Sequence, residues 1–197
     1  MKFILASASP RRKELVKEFV ETARILPAQG EETAVAGTPR MLVEALSRQK
    51  AEEVFSLEGN EQTIVLGADT VVAYGKKVLG KPKSEEEAFS MLKMLSGRSH
   101  YVYTGVCFIY LKNGEKKYVN RSAKTRVKFH KLSDEWIREY VKSGSPMDKA
   151  GAYGIQDGGL VKNIRGSFTN VVGLPVELCK KLYAKIIREQ GYDKDCD

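Results

Sequence analysis

Cysteine is scarce and poorly placed for pairing. There are three, an odd number: Cys107 in an apolar strand-like run, Cys179 in a helical pattern and Cys196 in the terminal stretch, with no C-x-x-C. That argues against both a disulfide framework and a cysteine zinc site. Histidine is scarcer still. His100 and His130 sit in strand-like runs, outside H-E-x-x-H or any nucleophile–base pattern, and read as ordinary side chains. No G-x-S-x-G occurs, so covalent catalysis by serine or cysteine has no support. No apolar run approaches the roughly 20 residues that span a bilayer, and the short run after Lys2 is too brief for a signal peptide. A cytoplasmic protein without a membrane partner is expected. The formal net charge is +8, yet no block of five or more basic residues appears and the aromatics are not interleaved with the basic positions. The surface admits an anionic ligand, but no stable nucleic-acid partner is expected.

What is present suits one domain over residues 1–197, folded as two lobes, with a polar tail from about 192. Of the residues, 42% are hydrophobic and 29% charged, ordinary values for a globular protein. The spacing predicts a strand over Lys2–Ala6, a helix from Pro10 to about Val20, and a second helix from Pro39 to Phe55. Ile64–Ala73 is a near-continuous Val- and Ile-rich run, the pattern of a strand buried on both faces. Gly75 permits a turn into a short strand at Lys77–Leu79. Ser84 and Glu87 form a capping box for a helix that Gly97 stops. A strand over His100–Leu111 turns at Asn113-Gly114. Two short strands are predicted after it, near Lys117–Asn120 and over Thr125–His130. Ser133 caps a further helix. Residues 144–173 hold seven of the 17 glycines and read as structured loops with short strands, before a last helix from Pro175. Strands and helices mix without strict alternation, so the expected fold is α/β or α+β around a mixed sheet.

Several residues carry chemistry. In "ASPRRKELV" Ser9 suits an N-cap and Pro10 the first helical position. Arg11 and Arg12 then occupy the positive end of the helix, where acids are preferred, which makes sense if an anion sits there. Asp69 interrupts the apolar run; a buried carboxylate is costly unless paired or metal-bound. Gly67 beside it would let a ligand or another backbone approach closely. "GKKVLGKP" matches the start of a P-loop, but Pro82 has neither the hydroxyl nor the N–H that motif needs, so a P-loop is rejected. Lys81 remains a candidate phosphate contact. Glu31 and Glu32, in a loop, offer carboxylates of the kind Mg²⁺ takes beside substrate oxygens. Gln156, in a glycine-bearing segment, can read a base edge or hold an amide of the chain. Arginines at a helix start, a strand aspartate, lysines and loop acids together form an inventory for phosphoryl transfer to water, where positioning and charge neutralisation do most of the catalysis.

The blocks "LASASPRR", "GADTVV" with "LGKP", "MLKMLSGRSHYVYTGV", "DKAGAYGIQ" and "GSFTNVVGLP" run in order from Leu5 to Pro175. In them the chain resembles the Maf family of nucleoside triphosphate pyrophosphatases. The resemblance implies an elongated, inosine-triphosphatase-like α/β fold: a mixed central sheet flanked by helices, with two lobes and an active-site cleft, often as a homodimer. It implies a divalent-metal-dependent hydrolase, with Mg²⁺, Mn²⁺ or Co²⁺, that cleaves a nucleoside triphosphate between the α- and β-phosphates. Asp69 would be the proton acceptor and, with Glu32, would lie at the metal. Ser7, Ser9, Arg11, Arg12, Lys50 and Lys81 would hold the substrate. Arg11, Thr70 and Gln156 fall at positions that sort substrates and resemble the subgroup acting on dTTP and UTP, with modified pyrimidine nucleotides as further candidates. Asp157 stands where the family often has glycine. The contrasting expectation is a regulatory nucleotide- or nucleic-acid-binding protein, since the family is linked to septum formation.

Overall fold

A computed structural model describes residues 1–33 and 37–191; the tail expected from 192 lies outside them. The elements are β1 (Lys2–Leu5), α1 (Pro10–Val16), β2 (Ala23–Ile25), α2 (Pro39–Glu58), β3 (Thr63–Tyr74), β4 (Lys77–Leu79) and α3 (Glu85–Leu95). They continue with β5 (Ser99–Lys112), β6 (Glu115–Phe129), α4 (Asp134–Lys142), three short 3₁₀ turns, β7 (Val161–Arg165), α5 (Phe168–Val172) and α6 (Val176–Glu189). One mixed sheet has the order β2-β1-β3-β5-β6-β7, with β4 also on β3. The two pairings of β1 are parallel; all others are antiparallel. The expected mixed sheet flanked by helices is the architecture observed.

The sheet explains where a cleft can form. On one side β3 pairs with β5 without interruption from Ile64 to Ala73. On its other side β1 pairs only as far as Leu66, and β4 begins only at Val72. Residues 67–71 therefore have a strand on one side alone, and the other edge opens between the splayed ends of β1 and β4. Because successive side chains alternate across a strand, Asp69 and Thr70 point to opposite faces, yet both reach that opening.

Each face is covered by apolar side chains. On one, Ala51, Val54 and Phe55 of α2 pack on Ile4, Val65, Cys107 and Ile109. On the other there are two clusters. Phe3, Leu66 and Phe108 meet Val16, Cys179 and Ile186, while Val72, Val102 and Phe129 meet Leu92, Leu95 and Ile137. Between these two cores lie Thr70 and Thr104, so the polar gap in the core and the gap in the edge coincide. One sheet runs beneath both clusters.

The capping residues act as expected. The hydroxyls of Ser9, Ser84 and Ser133 accept from the N–H groups of Arg12, Glu87 and Trp136. Glu87 closes its box one residue early, accepting from Lys83 N. Asn113 and Gly114 both take positive φ, as a two-residue hairpin demands. Four expectations need correction. Helix α1 stops at Val16, with turns after it and not a further helical turn. The short parallel strand β2 and the five-residue helix α5 went unpredicted, since three to five residues carry too little periodicity to register. The two strands expected after the hairpin are one strand of 15 residues. Its middle, "NRSAKT", lacks apolar alternation because β5 supplies the pairing there and much of one face meets solvent.

Candidate active site

Helix α2 reaches the cleft because two glycines let it lie against the sheet. A Cβ on Gly67 would come within 2.2 Å of Ser47 O, and one on Gly105 within 2.1 Å of Val43 O. These contacts lie one helical turn apart. The close approach expected at Gly67 is thus made by a helix backbone and not by a ligand. It carries Lys50, a further turn on, to Asp69 on the same face of β3. Lys50 Nζ donates to Asp69 Oδ1 at 2.6 Å and lies 2.8 Å from Glu32 Oε1. Asp69 is 8% exposed in the middle of β3, so it is no strand-end acid. The bond from Lys50 holds the Glu32 carboxyl below its ordinary range, against the opposing effect of partial burial.

On the opposite face Arg12 is the organising group. Its Nε donates to Gly173 O at 2.8 Å, Nη1 to Ser7 Oγ at 3.2 Å and Nη2 to Thr70 Oγ1 at 3.0 Å. Burial lowers its pKa, and the nearby Asp69 charge works the other way. A guanidinium stays protonated in either case. Thr70 is braced in turn by Thr104 Oγ1 at 3.0 Å, and Thr104 donates to Asn170 O. Asn170 Nδ2 donates to Val102 O and Thr125 Oγ1, which fixes α5 and with it the Gly173 carbonyl.

Arg11 turns the other way. Its two terminal nitrogens donate to Asp148 Oδ2 at 2.9 Å and Asp148 O at 3.2 Å, spanning the cleft to the glycine-rich segment. For Asp148, burial pushes the pKa up, but the bonds from Lys149 and Arg11 outweigh it and the net shift is downward. The two arginines at the start of α1 therefore diverge. Helix α1 has seven residues, Arg12 is built into the wall, and Arg11 closes a bridge across the mouth.

The ten residues that the family resemblance assigns to the site line one cavity of about 760 Å³. They fall into groups: Glu32, Lys50 and Asp69; Ser7, Arg12 and Thr70; Ser9 and Arg11 at the start of α1; Lys81 and Gln156 exposed at the rim. Thr70, at a substrate-sorting position by the resemblance, has its hydroxyl tied to Arg12 and Thr104. Glu31 is left outside the cavity lining; its carbonyl accepts from Gln49. His100 is buried against Tyr153 and His130 is exposed. Among the described residues no group of three or more His, Cys, Asp and Glu could hold a metal ion. Asp148 and Lys149 were not singled out, nor was the Gly173 carbonyl. The first two had a signal, an adjacent charge pair inside a glycine-rich segment. A main-chain carbonyl has none.

Comparison with known proteins fits this geometry. Residues 2–186 match the Maf-like protein family. A protein of Thermococcus kodakarensis named dTTP/UTP pyrophosphatase is 48% identical over 96% of this chain and 97% of its own length. Proteins of the same name from Agathobacter rectalis and Carboxydothermus hydrogenoformans are also 48% identical. They align over 96% and 98% of this chain and over 98% and 100% of their own lengths. Among solved structures, the Staphylococcus aureus Ham1 protein superposes with a TM-score of 0.53 at 13% identity, covering 94% of this chain and 100% of that one, which is a likeness of fold. With the family match spanning nearly every element that builds the cleft, the chain belongs to the Maf family.

Proposed function

We propose that the cavity hydrolyses dTTP and UTP to the nucleoside monophosphate and pyrophosphate. The observation that carries this is the convergence of Lys50, Asp69 and Glu32 with Arg12 at the open edge of β3. Two carboxylates and two cationic side chains meet in one place that a polyphosphate can enter. The relatives' name supplies the substrate.

The chemistry follows from charge and position. The triphosphate lies along Arg12, Lys50 and Lys81, with Ser7 and Ser9 as neutral donors. Asp69 takes the proton from a water that adds to the α-phosphorus. The bond from that phosphorus to the bridging oxygen breaks, and pyrophosphate leaves with its charge held by the same cationic groups. Gln156 offers the donor and acceptor that the imide N–H and carbonyl of uracil or thymine require. Modified pyrimidine triphosphates sharing that edge belong to the same substrate class.

The donor set also suits a divalent cation. Lys50 Nζ marks a point of positive charge within 2.8 Å of oxygens from both Glu32 and Asp69, and Mg²⁺ binds through one or two carboxylates plus substrate phosphates. Mg²⁺, or Mn²⁺ or Co²⁺ in its place, would be held by Glu32 and Asp69 and would supply neutralisation of phosphate charge and a more acidic water. A homodimer in the cytoplasm completes this reading, and light scattering on purified protein tests the first of these.

The direct test incubates the protein with each nucleotide and Mg²⁺ and identifies the products. Pyrophosphate and monophosphate from UTP and dTTP are expected; orthophosphate would sink the assignment. Asp69→Asn should lower kcat by roughly 10²–10⁴-fold, the usual contribution of a general base.

A further inference from the structure

One phenol holds both ends of the turn that presents Gln156. The 3₁₀ turn Ile155–Asp157 follows Gly154. Gly154 N donates to Tyr140 Oη at 3.1 Å, and Tyr140 Oη donates to Asp157 Oδ2 at 2.5 Å. Ser145 Oγ donates to the same carboxylate oxygen at 2.7 Å. Tyr140 itself is fixed on α4, stacked on Trp136 with ring centroids 5.1 Å apart. Burial and the bond to Asp157 push the phenol pKa up, so it stays a donor at any working pH. From Ser145 the bonds continue through Lys149 to Asp148, and from Asp148 to Arg11. Arg11 and Gln156, two of the three residues that the resemblance places at substrate-sorting positions, are thus joined to one anchor.

The anchor matters because of what glutamine cannot do alone. A uracil edge presents a carbonyl and an N–H; cytosine presents an amino group and an unprotonated nitrogen in the same places. A glutamine amide turned over about its last bond swaps its oxygen and nitrogen and serves either base. Gln156 is exposed, and what the fold holds is the turn that carries its backbone. We propose that Tyr140 and Asp157 are positioning residues that fix the Gln156 turn and thereby set the preference for uracil and thymine over cytosine. This rests on the pyrophosphatase reading above.

Tyr140→Phe is the cleanest probe, because it keeps the ring and removes only the oxygen. Asp157→Gly removes the acceptor, and Asp157→Asn restores a neutral one. Initial rates with UTP and CTP, and melting temperatures, would be measured for all four proteins. In Tyr140→Phe and Asp157→Gly the UTP-to-CTP ratio of kcat/KM should fall by about tenfold, the scale of one misplaced hydrogen bond, mainly through a higher KM for UTP with kcat little changed. Asp157→Asn should keep the ratio within about twofold of the parent. Equal losses for UTP and CTP, or a lower melting temperature with the ratio unchanged, would mean a merely structural role and overturn the proposal. So would a parent protein with no preference for UTP. A parent that releases pyrophosphate from neither UTP nor dTTP would defeat the underlying activity as well, which separates the two failures.

Discussion

Arg11 and Arg12 are adjacent in the chain and have different work. Arg12 has all three of its nitrogens engaged, with Gly173, Ser7 and Thr70, on the face of β3 opposite Lys50. Its charge is fixed in the wall of the cavity, and what it offers a phosphate is position. Arg12→Ala should therefore reduce kcat/KM by roughly 10²–10³-fold for every triphosphate, as loss of one preorganised donor does. Arg11 holds only Asp148, across the mouth. Arg11→Ala should cost about tenfold and also alter the order of preference among nucleotides. A nucleotide panel on the two variants checks both, and the same ranking in each would remove the distinction. The pair was legible in the sequence as a violation, cations at a helix start. Its division was not, because it depends on Thr70 and Gly173, 58 and 161 residues away from Arg12.

Helix α2 and strand β3 work as a unit, and glycine is what lets them. The helix backbone rests on Gly67 and Gly105 with no room for a methyl group. Lys50 meets Asp69 only because the helix lies that close. Gly67→Ala should force α2 outward, cost about 3 kcal/mol of stability by overpacking, and lower activity by disturbing the Lys50–Asp69 contact. Denaturant unfolding and pyrophosphate release would be measured on the same preparation; unchanged unfolding would show that the helix shifts freely. The sequence announced both elements clearly, β3 by its apolar run and α2 by its spacing. It marked Gly67 as a place of close approach without naming what approaches, because a glycine records the absence of a side chain and not the identity of the neighbour. The opposite error arose in β6, whose polar centre looked like a break and is held by its partner strand.

Taken whole, the molecule hides a titratable group in its core that links stability to pH. His100 is buried with Nε2 on Tyr153 Oη at 2.8 Å, and burial holds its pKa down at about 4, against an ordinary 6.5. A base with a lowered folded pKa binds its proton first in the unfolded chain. Stability is therefore complete above pH 6.5, falls as the pH drops from 6.5 to 4, and loses no more from this group below that. The loss is on the order of 3 kcal/mol. Glu58 acts in a lower window. Bonds from Lys2 and Arg24 hold its carboxyl at about 2, so its contribution disappears as pH falls from 4.5 toward 2. Denaturant melts between pH 7.5 and 4 should show the histidine slope, and His100→Phe should flatten it; an equal slope in the variant would assign it elsewhere.

Residue type and local spacing were enough for the mixed α/β fold class, the caps, the hairpin and an inventory suited to phosphoryl transfer, while the full set of ten cavity residues came from the resemblance of ordered blocks to the family. These properties are written within a few residues of one another, or within blocks whose order is itself informative. Pairing was not so written. That β1 stops at Leu66 and β4 starts at Val72, leaving an open edge between them, follows from how three strands meet. That Arg12 faces inward, Arg11 meets Asp148 and one phenol holds the Gln156 turn follows from contacts between segments far apart in the chain. Such contacts form when packing and hydrogen bonding of the whole molecule are satisfied together, and no local stretch carries them.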